Sequence, residues 1–547
     1  MVNSELTQSG SFETTRSGAD GGLPLPLGRH SEWWLVLLGL GLLVIRALFA
    51  AWSDLFPDEI LYAWLWSHEP LNFCPHPSGT PLLAGLGMAM AGRTGLGVRL
   101  LSIVVGCFTP FMMYALARSL GGRKVACWAA LLFLATPMTF AFGAILTPDG
   151  TQLFFWATAM FFTWLALEGR GRNATLAWIA AGVVVGLGLH VKYMMILYFP
   201  SLALCLLTVP DWRKQWRTAG PWLCVFMAAL IFAPLAVYTE AAQGWPTLRY
   251  HLVERQSGIS PSLENLLVYH GAHFGMYSPL LYPAMVVAMF AALVRGIRRD
   301  RRALVFVGWF AVFMWVFFAL ISAITERRLD REQWDAPVYV AAMIAVALLA
   351  NDLLLAARSE QSRRRRLRFL AAIPVVGFSI MALGTVELFT GVITTTIGRR
   401  PLFRSIQGWR EITHRADEEF ARLPADKPAF LLASRYSGAF AYWFYGEGNH
   451  PVFTLNHESA EEYGLTALLQ KHGVSQDHLL PAHRGENAVI MHVGAEKRKP
   501  LSKRQEQLAP WFESFPPPLN GGELQRAIVF PAVGFRDENS TAPIGNK

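Results

Sequence analysis

The residues best suited to chemistry stand at the ends of apolar runs. Phe56-Pro57-Asp58-Glu59 sets two carboxylates side by side directly after the first long apolar stretch. An acid at a membrane boundary is costly to order unless something uses it. The pair therefore reads as a general base or a metal ligand, against the plain alternative of a solvated loop start. Further on, Pro75, Pro77 and Pro81 stiffen the stretch around His76 and exclude regular helix, giving that imidazole a rigid support. Leu146-Thr147-Pro148-Asp149-Gly150 lies between two apolar runs. Helix capping by Thr147 or Asp149 would explain it, as would a second acidic site beside Asp58. In His190-Val191-Lys192-Tyr193 and Glu254-Arg255-Gln256 the cations either snorkel or meet an anionic headgroup or phosphate. Trp334 and Asp335 precede another run, where Trp334 fits an interfacial aromatic belt. Arg46 and Glu387 fall inside runs, toward their ends, where ionisable groups often face a cavity.

These groups need elements that bring them to one place. Of 547 residues, 53% are apolar and 16% charged, against roughly 25% charged in ordinary soluble proteins. A single soluble core cannot hide that much apolar surface, so the solvent is a bilayer. The net charge of +9 does not argue for nucleic acid, because most Arg and Lys lie in short clusters between apolar runs, as topology signals do. A span needs about 20 apolar residues. Runs at 33–52, 98–118, 124–142, 150–168, 174–190, 191–209, 219–239, 276–294, 303–323, 334–356 and 367–391 predict about eleven spans. The short Gly-rich run 79–92 predicts a re-entrant or interfacial helix, with a twelfth span as its alternative.

Residues 1–32 read as a disordered cytoplasmic tail without the early basic and apolar regions of a signal peptide. With the N-terminus inside, the inner loops gather Arg118, Arg123 and Lys124; Arg170 and Arg172; Arg213, Lys214 and Arg217; Arg295 to Arg302; and Arg358 to Arg368. The outer loops carry far fewer cations, which obeys the positive-inside rule. That orientation puts Asp58, His76, Asp149, Lys192, Arg255 and Asp335 on one outer face, with long outer segments at 53–97 and 240–275. Residues 33–391 form the membrane domain. Residues 392–547 are more polar and contain the strand-like runs 429–433 and 488–493, which predict a small soluble α/β domain outside. Four of the five cysteines lie in apolar runs, leaving Cys74 in a loop, so no disulfide framework or metal-type Cys pair follows. Two acidic sites and several cations at one water–lipid boundary suit acid/base chemistry on a substrate carrying a lipid phosphate.

The order of motifs resembles the polyprenyl-phosphate-sugar-dependent glycosyltransferases of the GT-C fold. The resemblance rests on Asp58-Glu59 with Trp64, Trp66 and Ser67, on His76-Pro77, and on Thr147-Pro148-Asp149-Gly150. It continues through Lys192-Tyr193, Gly244-Trp245-Pro246 with Arg255, Gln333-Trp334-Asp335-Ala336-Pro337, Gly408-Trp409-Arg410-Glu411 and Tyr436-Ser437-Gly438-Ala439. The protein mannosyltransferases and the bacterial aminoarabinose transferase-like proteins that modify lipid A are similar in pattern. The resemblance implies inverting transfer of a sugar from a polyprenyl phosphate to lipid A, a glycan or a protein at the outer face of a bacterial inner membrane. It implies Asp58 as general base, with Glu59 ranked below it and Asp149 orienting the sugar or the base. Lys192, Arg255 and His76 would meet the lipid phosphate, with Tyr193, Trp334 and Asp335 beside the substrate. The chain departs from the aminoarabinose transferases at Pro75 and His76, where they carry an acid and a Lys. An acidic ligand of any carried-over divalent metal is therefore missing, and aminoarabinose is in doubt as the sugar. The competing reading is a transporter or flippase of a lipid-linked or anionic substrate. That class favours ionisable groups near mid-membrane on broken helices, often with an internal repeat; here the acids lie in outer loops and no repeat is visible.

Overall fold

The computed structural model describes residues 22–536 except 72–75, 243, 246, 248–259, 325–332, 397–405, 456–459, 462–463, 480–481, 495–499 and 525–526. Most of the predicted tail and Arg255 therefore lie outside the described residues.

The membrane part is built from α1 (Ser31–Trp52), α2 (Pro57–His68), α3 (Gly79–Ala91), α4 (Gly95–Leu134), α5 (Pro137–Phe142), α6 (Pro148–Glu168), α7 (Gly171–Val191), α8 (Tyr198–Thr208), α9 (Pro210–Arg213), α10 (Ala219–Ala242), α11 (Leu263–Tyr277), α12 (Leu281–Arg298), α13 (Arg302–Ile324), α14 (Ala336–Leu355) and α15 (Glu360–Thr390). Among the described residues nine helices are long and apolar enough to cross a membrane. A tenth span forms if Tyr193–Thr208 and Pro210–Arg217, bent by 113° from each other, count as one. The predicted runs 98–118 and 124–142 share α4, which continues for 40 residues but leaves helical geometry at Gly122 (φ 80, ψ −178). Forty residues would extend about 60 Å, twice the hydrocarbon thickness. A residue in the left-handed region is the break such a length requires, and glycine supplies it without steric cost. Counting α4 as two arms reconciles the eleven predicted runs with the observed helices. Run 79–92 is the short helix α3.

The segment 53–97, predicted as an outer loop, is largely helical: α2 and α3 lie between the first two long helices. Beyond α15 the chain forms α16 (Val392–Thr396), α17 (Trp409–Arg422), β1 (Ala429–Ala433), α18 (Tyr436–Tyr445), β2 (Val452–Thr454), α19 (Thr466–Lys471), β3 (Asn487–Val493), α20 (Leu501–Leu508), β4 (Phe512–Ser514) and β5 (Ala527–Phe535). The strands make one sheet in the order β2-β1-β3-β5-β4. β1 runs parallel to β2 and β3, while β5 is antiparallel to β3 and β4. Both predicted strands are present, and β3 is buried along its whole length, as a central strand covered on both faces must be.

One apolar cluster joins the two parts. It runs from Ile60 and Trp64 on α2 through Trp409 and Phe440 to Val489 on β3. Trp64 stacks on Phe440 with ring centroids 4.6 Å apart. The C-terminal part also fastens both ends of α2. At its start, Asp54 Oδ2 accepts from Trp409 N at 2.7 Å and Leu55 N donates to Tyr445 Oη at 2.8 Å. At its end, Glu69 pairs with Lys471 and lies 3.0 Å from His472 Nε2.

Candidate functional site

The site grows from the first turn of α2. Pro57 opens the helix, and Glu59 three residues after the cap reaches back to accept from Phe56 N at 2.8 Å, the reciprocal half of a capping box. Its carboxylate is otherwise filled. Arg99 donates from Nε to Oε1 at 2.8 Å and from Nη2 to Oε2 at 2.6 Å, and Leu146 N donates to Oε1 at 2.8 Å. Arg99 also donates to Ser53 Oγ at 2.7 Å and to the Asp54 carbonyl at 2.8 Å. Both side chains are fully buried. Glu59 thus binds α1's end, α2, α4 and the turn before α6 into one knot, and its lone pairs are committed.

Asp58 is a partly exposed neighbour with a different environment. Burial, then the charges of Glu59 and Asp149, push its carboxyl up to about 7. A carboxyl tuned to that range is a competent general base near neutral pH. Tyr62, one turn on from Asp58 and on the same face of α2, has its ring 6.3 Å from the His76 ring. His76 is therefore on Asp58's side of the helix.

Asp149 lies in the first turn of α6, but Thr147 performs the capping, accepting from Gly150 N at 3.1 Å. Asp149 is free for another role and pairs with Lys192 Nζ, both side chains being buried. Lys192 ends α7 in extended geometry, and its Nζ lies 5.7 Å from the Trp334 ring centroid. α3 meets the same corner: a Cβ at Gly79 would sit 2.4 Å from the His190 carbonyl oxygen, so only glycine allows that approach.

Asp335 is fully buried. It accepts from Tyr269 Oη, and from Tyr339 Oη at 2.8 Å, and lies 3.0 Å from His273 Nε2. Tyr277 feels both Asp335 and Asp149, which with burial push its phenol far up. The two acids thus belong to one neighbourhood. Contacts join Asp149, Lys192 and Trp334, with Asp335 next in the chain, and Asp58 lies near enough to Asp149 to feel its charge. The Tyr193 ring packs edge-on against Phe232 of α10, 6.4 Å away. Arg46 and Glu387 serve structure. Arg46 donates to the carbonyls of Gly106 and Thr139, and Glu387 accepts from Thr394 Oγ1 and Ile393 N.

Sequence reading missed Arg99, Asp54 and His273. Arg99 had a signal, a guanidinium in the first turns of an apolar run, where an unpaired charge would be expensive. No group of three His, Cys, Asp or Glu that could hold a metal occurs among the described residues. The acids nearest Asp58 already carry cations, Arg99 on Glu59 and Lys192 on Asp149. The donor set does not fit a divalent ion, and no step is derived through one.

Comparison with solved structures decides the fold. ArnT from Cupriavidus metallidurans superposes with a TM-score of 0.65 at 16% identity, covering 92% of this chain and 98% of that one in the apo state. Its complex with undecaprenyl phosphate gives the same TM-score over 94% and 99%. The chain has the GT-C fold. The archaeal GT-C oligosaccharyltransferase AglB from Archaeoglobus fulgidus, in complex with an inhibitory peptide and a dolichol-phosphate, matches with a TM-score of 0.51 at 13% identity, over 88% of this chain and 71% of that one. In sequence, residues 75–238 match the family described as dolichyl-phosphate-mannose-protein mannosyltransferase. The undecaprenyl phosphate-alpha-4-amino-4-deoxy-L-arabinose arabinosyl transferase of Pseudomonas aeruginosa is 25% identical over 409 residues, 69% of this chain and 68% of the relative. That of Pseudomonas paraeruginosa is 28% identical over 250 residues, 41% of this chain and 44% of the relative. The GT-C chain resembles the polyprenyl-phosphate-sugar-dependent glycosyltransferases, and it is a multi-pass membrane protein.

Proposed function

We propose that this chain moves a sugar from a polyprenyl phosphate, undecaprenyl phosphate by the names of its relatives, to a hydroxyl of lipid A, a glycan or a protein. The chain is a glycosyltransferase of the GT-C fold, and its site opens at the outer face of a bacterial inner membrane. The N-terminus is cytoplasmic and residues 392–547 form the extracytoplasmic domain, a reading supported by the arginines gathered in alternate loops. Transport is not favoured, since the relatives are transferases, and Arg46 and Glu387, which lie inside spans, are bound to backbone and threonine.

One observation carries the mechanism: a carboxyl held near neutrality, Asp58, beside the buried Asp149–Lys192 pair. Asp58 takes the proton of the acceptor hydroxyl as its oxygen forms a bond to the anomeric carbon. The bond between that carbon and the phosphate oxygen breaks, and its electron pair leaves on the lipid phosphate. Attack from the opposite face inverts the centre. Lys192, with Arg255 and His76, balances the charge growing on phosphate. His76 does so when protonated or as a neutral donor. Asp149 holds Lys192 and orients the sugar or the base. Glu59 is a positioning residue, because its oxygens are already bonded. Trp334 and Asp335 build the wall beside Lys192, and Tyr193 lies at the edge.

The test is transfer of a radiolabelled sugar from a polyprenyl-phosphate pool in membranes holding wild-type chain or Asp58→Ala at matched levels. Loss of transfer with the variant is the expected result, and the labelled product identifies the acceptor. Equal transfer by both overturns the role of Asp58; none by either, across several donors, overturns the reaction.

A further inference from the structure

The Asp335–His273 contact is built from opposite requirements. Its side chains are fully buried. His273 Nδ1 lies 2.6 Å from the Tyr269 carbonyl oxygen, which can only accept. Its Nε2 lies 3.0 and 3.1 Å from the two Asp335 oxygens. The carboxylate in turn takes hydroxyl donors from Tyr269 and Tyr339. Nδ1 therefore carries hydrogen for the Tyr269 carbonyl, and Nε2 faces the carboxyl that Tyr269 and Tyr339 also bond, so the ring ties Asp335 to the backbone of α11. Beside the pair, burial first and then His273 push the His270 imidazole down, with Asp335 opposing. Its Nδ1 lies 2.6 Å from Tyr282 Oη. Tyr277, Tyr282 and Tyr339 pack around the His273 ring at 5.8, 5.2 and 5.5 Å between centroids.

A buried ion pair is weak evidence for stability, because a well-packed apolar replacement often serves as well. What this one delivers is a fixed relation between two elements. His273 is on α11, the helix that follows the segment carrying Arg255. Asp335 adjoins Trp334, whose ring lies over Lys192. We infer that the Asp335–His273 pair is a latch that fixes Trp334 over Lys192, making both residues positioning groups for the site that takes a lipid-linked phosphate. The latch deepens the transferase reading and rests on it for the identity of the ligand, but not for the geometry.

Two measurements on the purified full-length protein separate the two. The first is acylation of Lys192 by an amine-reactive reagent, followed by mass spectrometry, with exposed Lys214 as the internal control. The second is binding of undecaprenyl phosphate in detergent micelles. Asp335→Asn and His273→Asn are expected to raise Lys192 labelling several-fold at unchanged Lys214 labelling. They should weaken undecaprenyl phosphate binding about 10- to 100-fold, the scale seen when an outer-shell partner that orients a metal ligand is removed. His273→Lys keeps a donor toward Asp335 and is expected to recover most of both. Lys192 protection that persists in both Asn variants overturns the latch, whatever the lipid does. Raised Lys192 labelling in a protein that binds no undecaprenyl phosphate even as wild type leaves the latch standing and removes the ligand. If the Asn variants fail to fold, His273→Lys decides: wild-type protection of Lys192 supports the latch, and lost protection overturns it.

Discussion

Asp58→Asn exchanges a proton-accepting carboxylate for a neutral isostere, and its consequences run in opposite directions for stability and activity. Burial and the charges of Glu59 and Asp149 raise the Asp58 carboxyl from 3.8 to about 7. The folded chain therefore holds that proton more tightly than the unfolded chain does. The resulting penalty is absent below about pH 4, grows as pH rises through the window between the two values, and is complete above pH 7. Its ceiling is about 4 kcal/mol; because Asp58 is partly exposed, about 1–2 kcal/mol is expected after solvent screening. Asn carries no such penalty. The variant should thus melt about 1–3 °C higher than wild type at pH 8 and equally at pH 4. Sugar transfer should fall about 10²–10⁴-fold, the usual contribution of a general base. Wild-type kcat/KM should drop about tenfold per pH unit below 7, as the base becomes protonated. Thermal unfolding in detergent at both pH values and a pH profile of transfer test this together. A variant within tenfold of wild type, or less stable than wild type at pH 8, refutes the reasoning.

Other consequences are equally specific. Arg99→Met leaves Glu59 buried without its cation and should cost about 3–5 kcal/mol, read as a lower melting temperature. Adding Glu59→Met should restore much of the stability but not the transfer, since Asp58 loses the knot that aims it. Lys192→Met should lower kcat/KM about 10- to 100-fold, matching the roughly 1.5–3 kcal/mol of a hydrogen bond to a charged group. The loss should appear for every lipid-phosphate donor, whatever its sugar. Asp54→Ala removes the acceptor from the first turn of α17 and should cost about 1 kcal/mol, seen as earlier protease cleavage of the soluble part.

The spans were legible because a bilayer imposes a length and a composition that no local interaction can override. The break at Gly122 was legible only as a gap between two apolar runs. The sequence does not say that helical hydrogen bonding continues on both sides of one left-handed residue. The sharp turn at Val209-Pro210 falls at the end of the run 191–209, so the sequence marks where that run stops but not the bent helical segment that follows it. In the soluble part, β1 and β3 were visible as short apolar segments, whereas β2, β4 and the sheet order depend on long-range pairing that composition does not encode. Thr147 and Asp149 both looked like caps, and the choice between them was made elsewhere, by Lys192 arriving from the end of α7.

The two adjacent acids show why types alone did not assign roles. Neighbouring positions on a helix project about 100° apart, so α2 cannot present both to one site. If Asp58 faces Asp149, Glu59 must face the protein interior, where an unpaired carboxylate is prohibitive. The fold therefore needs a cation there, and Arg99 supplies it from a run that otherwise reads as lipid-facing. The same commitment creates the charge that presses on Asp58. With Arg99 bound to Glu59 on one side and Lys192 bound to Asp149 on the other, Asp58 is the one of these three acids that no ion pair among the described residues engages, and burial raises its affinity for a proton. Glu59 belongs to the chemistry as the fixed charge next to the base rather than as a second base.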